Sequence, residues 1–193
     1  MRSPGPPSAR IEPLTDQLAR YARRFPEESA VVERFRRLLA EHPNCFERDC
    51  WVGHLTGAAW LVDPTGRDVL LTHHRKLDAW LQLGGHCDGD PHTAAVALRE
   101  AEEESGLAVE LLWSEILDLD VHAIPERGDD PGHFHFDVRY IVVSRSGRVY
   151  QVSDESHDLA WVPIDALDAY TTEPSIRRMA DKFLALRGGL FPA

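Results

Sequence analysis

The stretch from Gly84 to Leu107, GGHCDGDPHTAAVALREAEEESGL, places the tightest limits on how this chain folds. Two adjacent glycines end a strand-like run, a short polar loop follows, and then comes a segment typical of a helix. Residues three and four apart share one face of a helix, so Glu100, Glu103 and Glu104 are expected to project together. Carboxylates this close repel one another unless a cation lies between them.

The residues alone leave two interpretations of this acidic face open. A hard divalent cation with oxygen ligands would fit between the carboxylates. An ordinary solvated helix face would carry the same charges without a ligand. The ends of the helix suit either interpretation. Asp90 is predicted to be its N-cap, with Pro91 at the first helical position, and Gly106 is predicted to end it in the left-handed conformation.

The spacing of these residues resembles the Nudix box, the loop–helix–loop signature of the Nudix hydrolases. That pattern runs from a Gly through a Glu to a final Arg-Glu, an aliphatic residue, a Glu pair, a Gly and an aliphatic residue. Gly85 matches its start, and REAEEESGL at residues 99–107 matches its end. One position departs from the pattern, because Pro91 stands where the first Glu is expected.

The resemblance implies a Nudix-like α/β/α sandwich with a mixed sheet, over about residues 51–186. The order of elements read from the chain, strand–strand–helix–strands–helix, also fits a mixed sheet with helices on both faces. Strands are expected near 51–62, 69–74, 109–122, 133–144 and 159–162, with a further short strand after Gly147. Helices are expected at 163–170 and 174–186.

Nudix enzymes hydrolyse a diphosphate bond in a nucleoside diphosphate linked to another group, with Mg²⁺ or Mn²⁺ as cofactor. Carried over by position, Glu100, Glu103 and Glu104 match the metal-binding glutamates of the box. Arg99 matches the arginine that holds those carboxylates by ion pairing. A carboxylate must also take a proton from the attacking water, and Glu103 is the first candidate. Glu155, between two late strands, is the second candidate, as base or as metal ligand; the alternative is a surface loop residue.

Several histidines and one cysteine suggest a different metal chemistry. His86, His92, His133 and His135 lie in or near the expected cleft, and Cys87 follows His86. Imidazole and thiolate favour zinc or another soft transition metal over magnesium. Isopentenyl-diphosphate isomerases share the Nudix fold and use a cysteine, a glutamate and a metal held partly by histidines, so that activity is one alternative. For each histidine alone, a hydrogen-bonded structural role is the other interpretation.

A third class is a module that binds a nucleotide or ADP-ribose without turnover. Nudix-fold sensors of this kind often lack one of the box glutamates. All three on the expected helix face are present here, which favours catalysis.

The segment before the Nudix-like region divides into two parts. Residues 1–10, rich in Pro, Gly and Ser, are expected to form a disordered tail. Residues 11–50 are expected to form a helical extension with helices at 11–24 and 27–41. The apolar stripe of the second helix must cover either the outer surface of the domain at 51–193 or a partner chain, so a homodimer is possible.

Charge and cysteine content narrow the partners and the compartment. The net charge is −11, and residues 51–193 hold twelve Lys/Arg against twenty-four Asp/Glu. This argues against a nucleic-acid polymer and allows a phosphorylated small molecule whose charge metal ions screen. Three cysteines without a CxxC pair indicate reduced thiols. With no secretory signal and no membrane-length apolar run visible, the expected location is the cytoplasm.

Overall fold

The computed structural model of the protein describes residues 13–75, 78–128, 130–152 and 156–192. The expected tail at 1–10 and the candidate Glu155 lie outside these ranges. In the described part of the chain, no helix combines the length and the apolar character needed to cross a bilayer.

Four α-helices are formed within the described residues. They are α1 Leu14–Arg24, α2 Ser29–Glu41, α3 Thr93–Ser105 and α4 Pro174–Leu190. Two short 3-10 helices lie at Pro26–Glu28 and Ile164–Ala169. The helices predicted at 11–24, 27–41 and 174–186 are therefore confirmed in position within the described residues, which leave out 11 and 12. The helix predicted at 163–170 is a 3-10 helix.

In the part of the chain that the structure describes, eight strands form one mixed sheet. They are β1 His54–Val62, β2 Asp68–His74, β3 Ala79–Leu81, β4 Leu83–His86, β5 Val109–Leu111, β6 Asp118–Ile124, β7 His133–Ser144 and β8 Ser156–Pro163. Strand β1 lies at the centre, parallel to β7 and antiparallel to β2 and β4. It is buried along its whole length, as expected for a strand covered on both faces.

Helices cover both faces of this sheet. On one face, α3 lies so close to β1 that a Cβ added at Gly57 would be 2.8 Å from Val96 Cβ. On the other face, Trp60 packs against Phe183 of α4, with ring centroids 6.4 Å apart. Successive residues of a strand point to opposite faces, so these two contacts assign the faces of β1. The predicted α/β/α sandwich with an N-terminal helical segment is confirmed.

The N-terminal helices are part of the core. Phe35 of α2 packs edge-on against Phe136 of β7, with ring centroids 5.2 Å apart. Leu18 and Tyr21 of α1 are fully buried in the same apolar cluster. The apolar stripe of α2 was predicted to pack either on the domain or on a partner chain. These contacts show that it packs on the domain. The dimer stays a prediction.

Two strand predictions are wrong in detail. The strand expected at 109–122 is divided into β5 and β6, although both pair with the same strand, β7. Leu111 lies opposite Val142 and Asp118 opposite Arg139, so the intervening residues bulge outward from the ladder. No strand follows Gly147 in the described residues 148–152.

Candidate active site and a histidine cluster across the sheet

Helix α3 begins at Thr93, later than the sequence predicts. His92 occupies the N-cap position and no side chain caps the helix. The predicted N-cap, Asp90, is wrong, because its Oδ1 instead accepts a hydrogen bond from the His92 backbone N–H at 2.9 Å and lies 2.7 Å from His92 Nδ1. At the other end, Gly106 has φ 68°, which confirms the predicted left-handed end.

Two of the predicted glutamates lie against the paired glycines of β4. The backbone N–H of Gly84 donates a hydrogen bond to Glu104 Oε1 at 2.8 Å. Glu100 lies so close to Gly85 that an added Cβ would be 2.5 Å from its Cδ. Glycine at position 85 therefore opens the space in which the Glu100 carboxylate lies against the strand.

Arg99 links the helix to the same strand. Its Nη2 donates to Glu100 Oε1 at 2.9 Å and to the His86 carbonyl oxygen at 3.0 Å. The hydrogen bond to Glu100 raises the pKa of Arg99. Glu103, on the same side of α3 by helical spacing, is exposed.

An all-oxygen donor set of this kind fits a hard divalent cation. The three glutamates are nevertheless less convergent than other groups in the protein. Among the described residues, sets of three ligand atoms within 4.8 Å of one another occur only among histidines and Asp137. Binding a metal ion at the box would require the glutamate side chains to draw closer together.

The loop before α3, in which Pro91 departs from the box pattern, is held by contacts with the segment after α2. Gly89 N–H donates to the Phe46 carbonyl oxygen at 2.9 Å, and Arg48 forms an ion pair with Asp88. The hydrogen bond from Arg48 lowers the pKa of Asp88. The segment after α2 thus supports the loop in which Pro91 replaces the expected Glu.

A sequence model of the NUDIX domain matches residues 54–183, well over half of the chain. The chain belongs to the Nudix family. The matched region contains the whole box and the sheet that supports it. The predicted family and enzyme class, a Nudix-type diphosphate hydrolase, are therefore confirmed.

Solved structures support the assignment. A Nudix-family hydrolase from Clostridium perfringens is 27% identical, with a TM-score of 0.52, covering 69% of this chain and 97% of that one. The dihydroneopterin triphosphate pyrophosphohydrolase of E. coli is 16% identical, with a TM-score of 0.55, covering 68% and 94%. An Ap4A hydrolase from C. elegans is 14% identical, with a TM-score of 0.51, covering 70% and 98%. The last two show the fold alone. No curated protein matches the sequence.

The Nudix domain also contains a group of four histidines, called here the histidine cluster: His54, His86, His133 and His135. The ring centroid of His54 lies 4.8 Å from those of His133 and His135 and 5.0 Å from that of His86. Strand pairing explains the convergence, since His54 lies opposite His135 in the β1–β7 ladder. His86 ends β4, which pairs with β1 on its other side.

The histidine cluster lies on the face of the sheet opposite α3. Gly57 and its partner Gly85 both point toward α3. Alternation along β1 therefore directs Thr56 and His54 to the other face. Thr56 Oγ1 indeed donates to Asp137 Oδ1 at 2.6 Å, next to the cluster.

A buried charge network continues this face toward α4. Arg139 of β7, 2% exposed, donates to Asp137 at 2.9 Å and to Asp118 at 3.1 Å. Arg178 and Lys182 of α4 donate to Asp118 at 2.8 and 2.7 Å. Buried charges need partners of this kind. The network therefore anchors α4 to β6 and β7.

Among the described residues, no convergent set of metal-ligand atoms includes Cys87. It is buried in the apolar cluster that also contains Cys45, Cys50 and Leu55. Burial raises the pKa of its thiol to about 12. A protonated thiol among apolar side chains is a poor ligand and a poor nucleophile.

Sequence reasoning missed two of the histidines now seen at this face, His54 and His122. His122 lies opposite His135 in the β6–β7 ladder. The signal available was the alternation HFHFD at the start of β7, which marks one face of that strand. Which other strands carry histidines to that face depends on pairing that the local sequence does not specify.

Proposed function

We propose that the protein hydrolyses a diphosphate bond in a nucleoside-diphosphate-linked small molecule, with Mg²⁺ or Mn²⁺ as cofactor. The observation that carries the proposal is the position of Glu100 and Glu104 against Gly84-Gly85, with Glu103 exposed beside them. Structures of this fold include proteins named for Ap4A, ADP-ribose and dihydroneopterin triphosphate, which suggest substrates to test.

Glu100, Glu103 and Glu104 would hold the divalent ion. When bound, such an ion neutralises the diphosphate and lowers the pKa of a coordinated water. The acidic surface of the domain makes this screening necessary, since the substrate itself is anionic.

The other roles in catalysis, positioning the carboxylates and accepting a proton, fall to residues of the chain. Arg99 fixes the Glu100 carboxylate, and the Gly84 N–H fixes that of Glu104. In this proposal an exposed Glu103 oxygen accepts the proton of the attacking water. Glu155 stays the second candidate for that role, and its exchange for Gln is the companion test.

The test compares two neighbouring glutamates of α3 on a panel of ADP-ribose, diadenosine tetraphosphate and nucleoside triphosphates, with Mg²⁺ or Mn²⁺. Glu103→Gln is expected to lower kcat by roughly 10²- to 10⁴-fold, the usual contribution of a general base. Glu102→Gln is the matched control, because Glu102 is equally exposed but lies on another side of the helix. Its kcat is expected to change less than about twofold.

Full activity in Glu103→Gln would refute the assigned role. Metal-independent ligand binding without hydrolysis by the wild type would favour the binding module instead. Turnover of isopentenyl diphosphate without release of phosphate or nucleotide would favour the isomerase.

A further inference from the structure

His54 is buried with little hydrogen bonding to its ring. The residue is 2% exposed, neither Nδ1 nor Nε2 forms a hydrogen bond of good geometry, and the ring has only a loose polar contact with the backbone of Cys50. Buried polar groups are almost always satisfied, because leaving one unpaired costs about 1–3 kcal/mol. A poorly satisfied imidazole at the centre of four converging histidines is suited to bind a ligand.

The nitrogen atoms around His54 are close enough to share one ion. One ligand atom each of His54, His133 and His135 lies within 4.8 Å of the other two. Ligand nitrogens on a tetrahedral zinc ion are roughly 3.3 Å apart, given Zn–N bonds of about 2.0–2.1 Å. Small side-chain rotations therefore suffice to bring the three onto one ion.

The backbone already orients one of these histidines. His133 Nδ1 lies 2.8 Å from the Pro131 carbonyl oxygen, to which it can only donate, so Nε2 carries the free lone pair.

We propose that His54, His133 and His135, with His86 as fourth ligand, bind one transition-metal ion of the zinc type. The site lies across the sheet from the glutamates of α3. Nitrogen donors select such an ion over magnesium. The ion would join β1, β4 and β7 at one end of the sheet, independently of the proposed hydrolysis.

A second convergent set, His122, His135 and Asp137, is the weaker candidate. His122 Nδ1 is 3.2 Å from Asp120 Oδ2, and that contact raises the pKa of His122. Both Asp137 oxygens accept hydrogen bonds, from Thr56 and from Arg139. His122 and Asp137 therefore already have polar partners, whereas neither ring nitrogen of His54 forms a hydrogen bond of good geometry.

The experiment uses the full chain, stripped of metal with a chelator and dialysed, then titrated with Co²⁺. One equivalent is expected to give the intense visible absorption of a four-coordinate site, displaced by one equivalent of Zn²⁺. His133→Gln and His135→Gln are each expected to weaken Co²⁺ binding by about 100-fold or more. Circular dichroism checks that each variant is folded, and His133, which is only half-buried, is the safer substitution.

Two controls separate this site from the rest of the protein. Glu100→Gln, in the box, and His157→Gln, at an exposed position of β8, are both expected to keep the absorption and the affinity. The proposal is overturned if the wild type shows no such band, if both histidine variants keep it, or if Glu100→Gln abolishes it. None of these outcomes depends on whether the protein hydrolyses a diphosphate.

Discussion

At the scale of single residues, Gly85 and Glu100 compete for one small space. An alanine at position 85 would place Cβ 2.5 Å from Glu100 Cδ, and the flexible carboxylate end can swing away. We expect Gly85→Ala to shift Tm by only a few degrees. The concentration of Mg²⁺ or Mn²⁺ that gives half-maximal activity should rise about tenfold, because the displaced carboxylate is a proposed ligand. Metal titrations of activity and thermal melts measure the two effects.

Gly132→Ala is the control, since its added Cβ would meet nothing closer than 3.5 Å. It should leave both the metal dependence and Tm unchanged. An unaltered metal dependence in Gly85→Ala would mean that Glu100 is not a ligand.

Local spacing explains which site residues the sequence could predict. The common side of Glu100 and Glu104 follows from helical geometry within five positions of the chain. The convergence of His54 with His135 follows from strand register between distant segments, which no local pattern contains. Asp90 was misassigned as a cap because a nearby side chain and amide, both of His92, compete for its oxygen.

At the scale of elements, the close contact of α3 with β1 depends on Gly57. An added Cβ there would lie 2.8 Å from Val96 Cβ and 2.9 Å from the Ala97 nitrogen, so backbone has to move. Gly57→Ala should therefore lower the free energy of unfolding by about 2 kcal/mol or more. Urea unfolding measures the change.

A second glycine provides the opposite case. Gly188, inside α4, has nothing within 4 Å of an added Cβ. Gly188→Ala should raise the free energy of unfolding by up to about 1 kcal/mol, because alanine favours a helix. If both substitutions changed stability equally, close packing of α3 on β1 would not be the cause.

Periodicity also explains which elements could be predicted. The alternating residues of β7 gave its bounds, His133 to Ser144, because one long strand carries a strong pattern. The apolar residues at 109–122 carry a similar pattern, yet the ladder along β7 is interrupted between Leu112 and Leu117, which themselves still donate to β7. An interruption of this kind depends on pairing with the partner strand, so the residues of the interrupted segment do not reveal it.

At the scale of the whole molecule, the neutral histidines make stability depend on pH. Burial lowers the pKa of His54, His86 and His135 in the folded protein. The unfolded chain takes up protons below about pH 6.5, where the folded protein does not, so acidification favours unfolding. Each pH unit of acidification between pH 6.5 and 5 should lower the free energy of unfolding by at most about 1.4 kcal/mol per histidine. Urea unfolding in the presence of a chelator measures this slope.

Other titrating groups contribute outside that window. The hydrogen bond with Asp120 raises the pKa of His122. The stability that His122 contributes is therefore fully present below about pH 6.5 and is lost as the pH rises. The lowered pKa values of Asp120 and Asp137 matter only below about pH 4. His135→Gln should therefore flatten the slope between pH 6.5 and 5, and His157→Gln should not. An equal slope in the two variants would contradict the assignment.

The fold class was predictable because the box, the hairpin of β1 and β2 and the order of elements all indicate the same sandwich. The place of α1 and α2 was not, since an amphipathic helix does not specify which surface it covers. Their packing on β7 becomes visible only once Phe136 is known to point toward them.

The parallel pairing of β1 with β7 has a consequence for biosynthesis. Its partners are separated by roughly eighty residues, a long-range contact of the kind that slows folding. The growing chain can pair β1 with β2 and β4 early, but the other edge of β1 stays open until β7 has been synthesised. An open strand edge is a site for pairing with other chains, so we expect aggregation of incomplete chains to begin at β1.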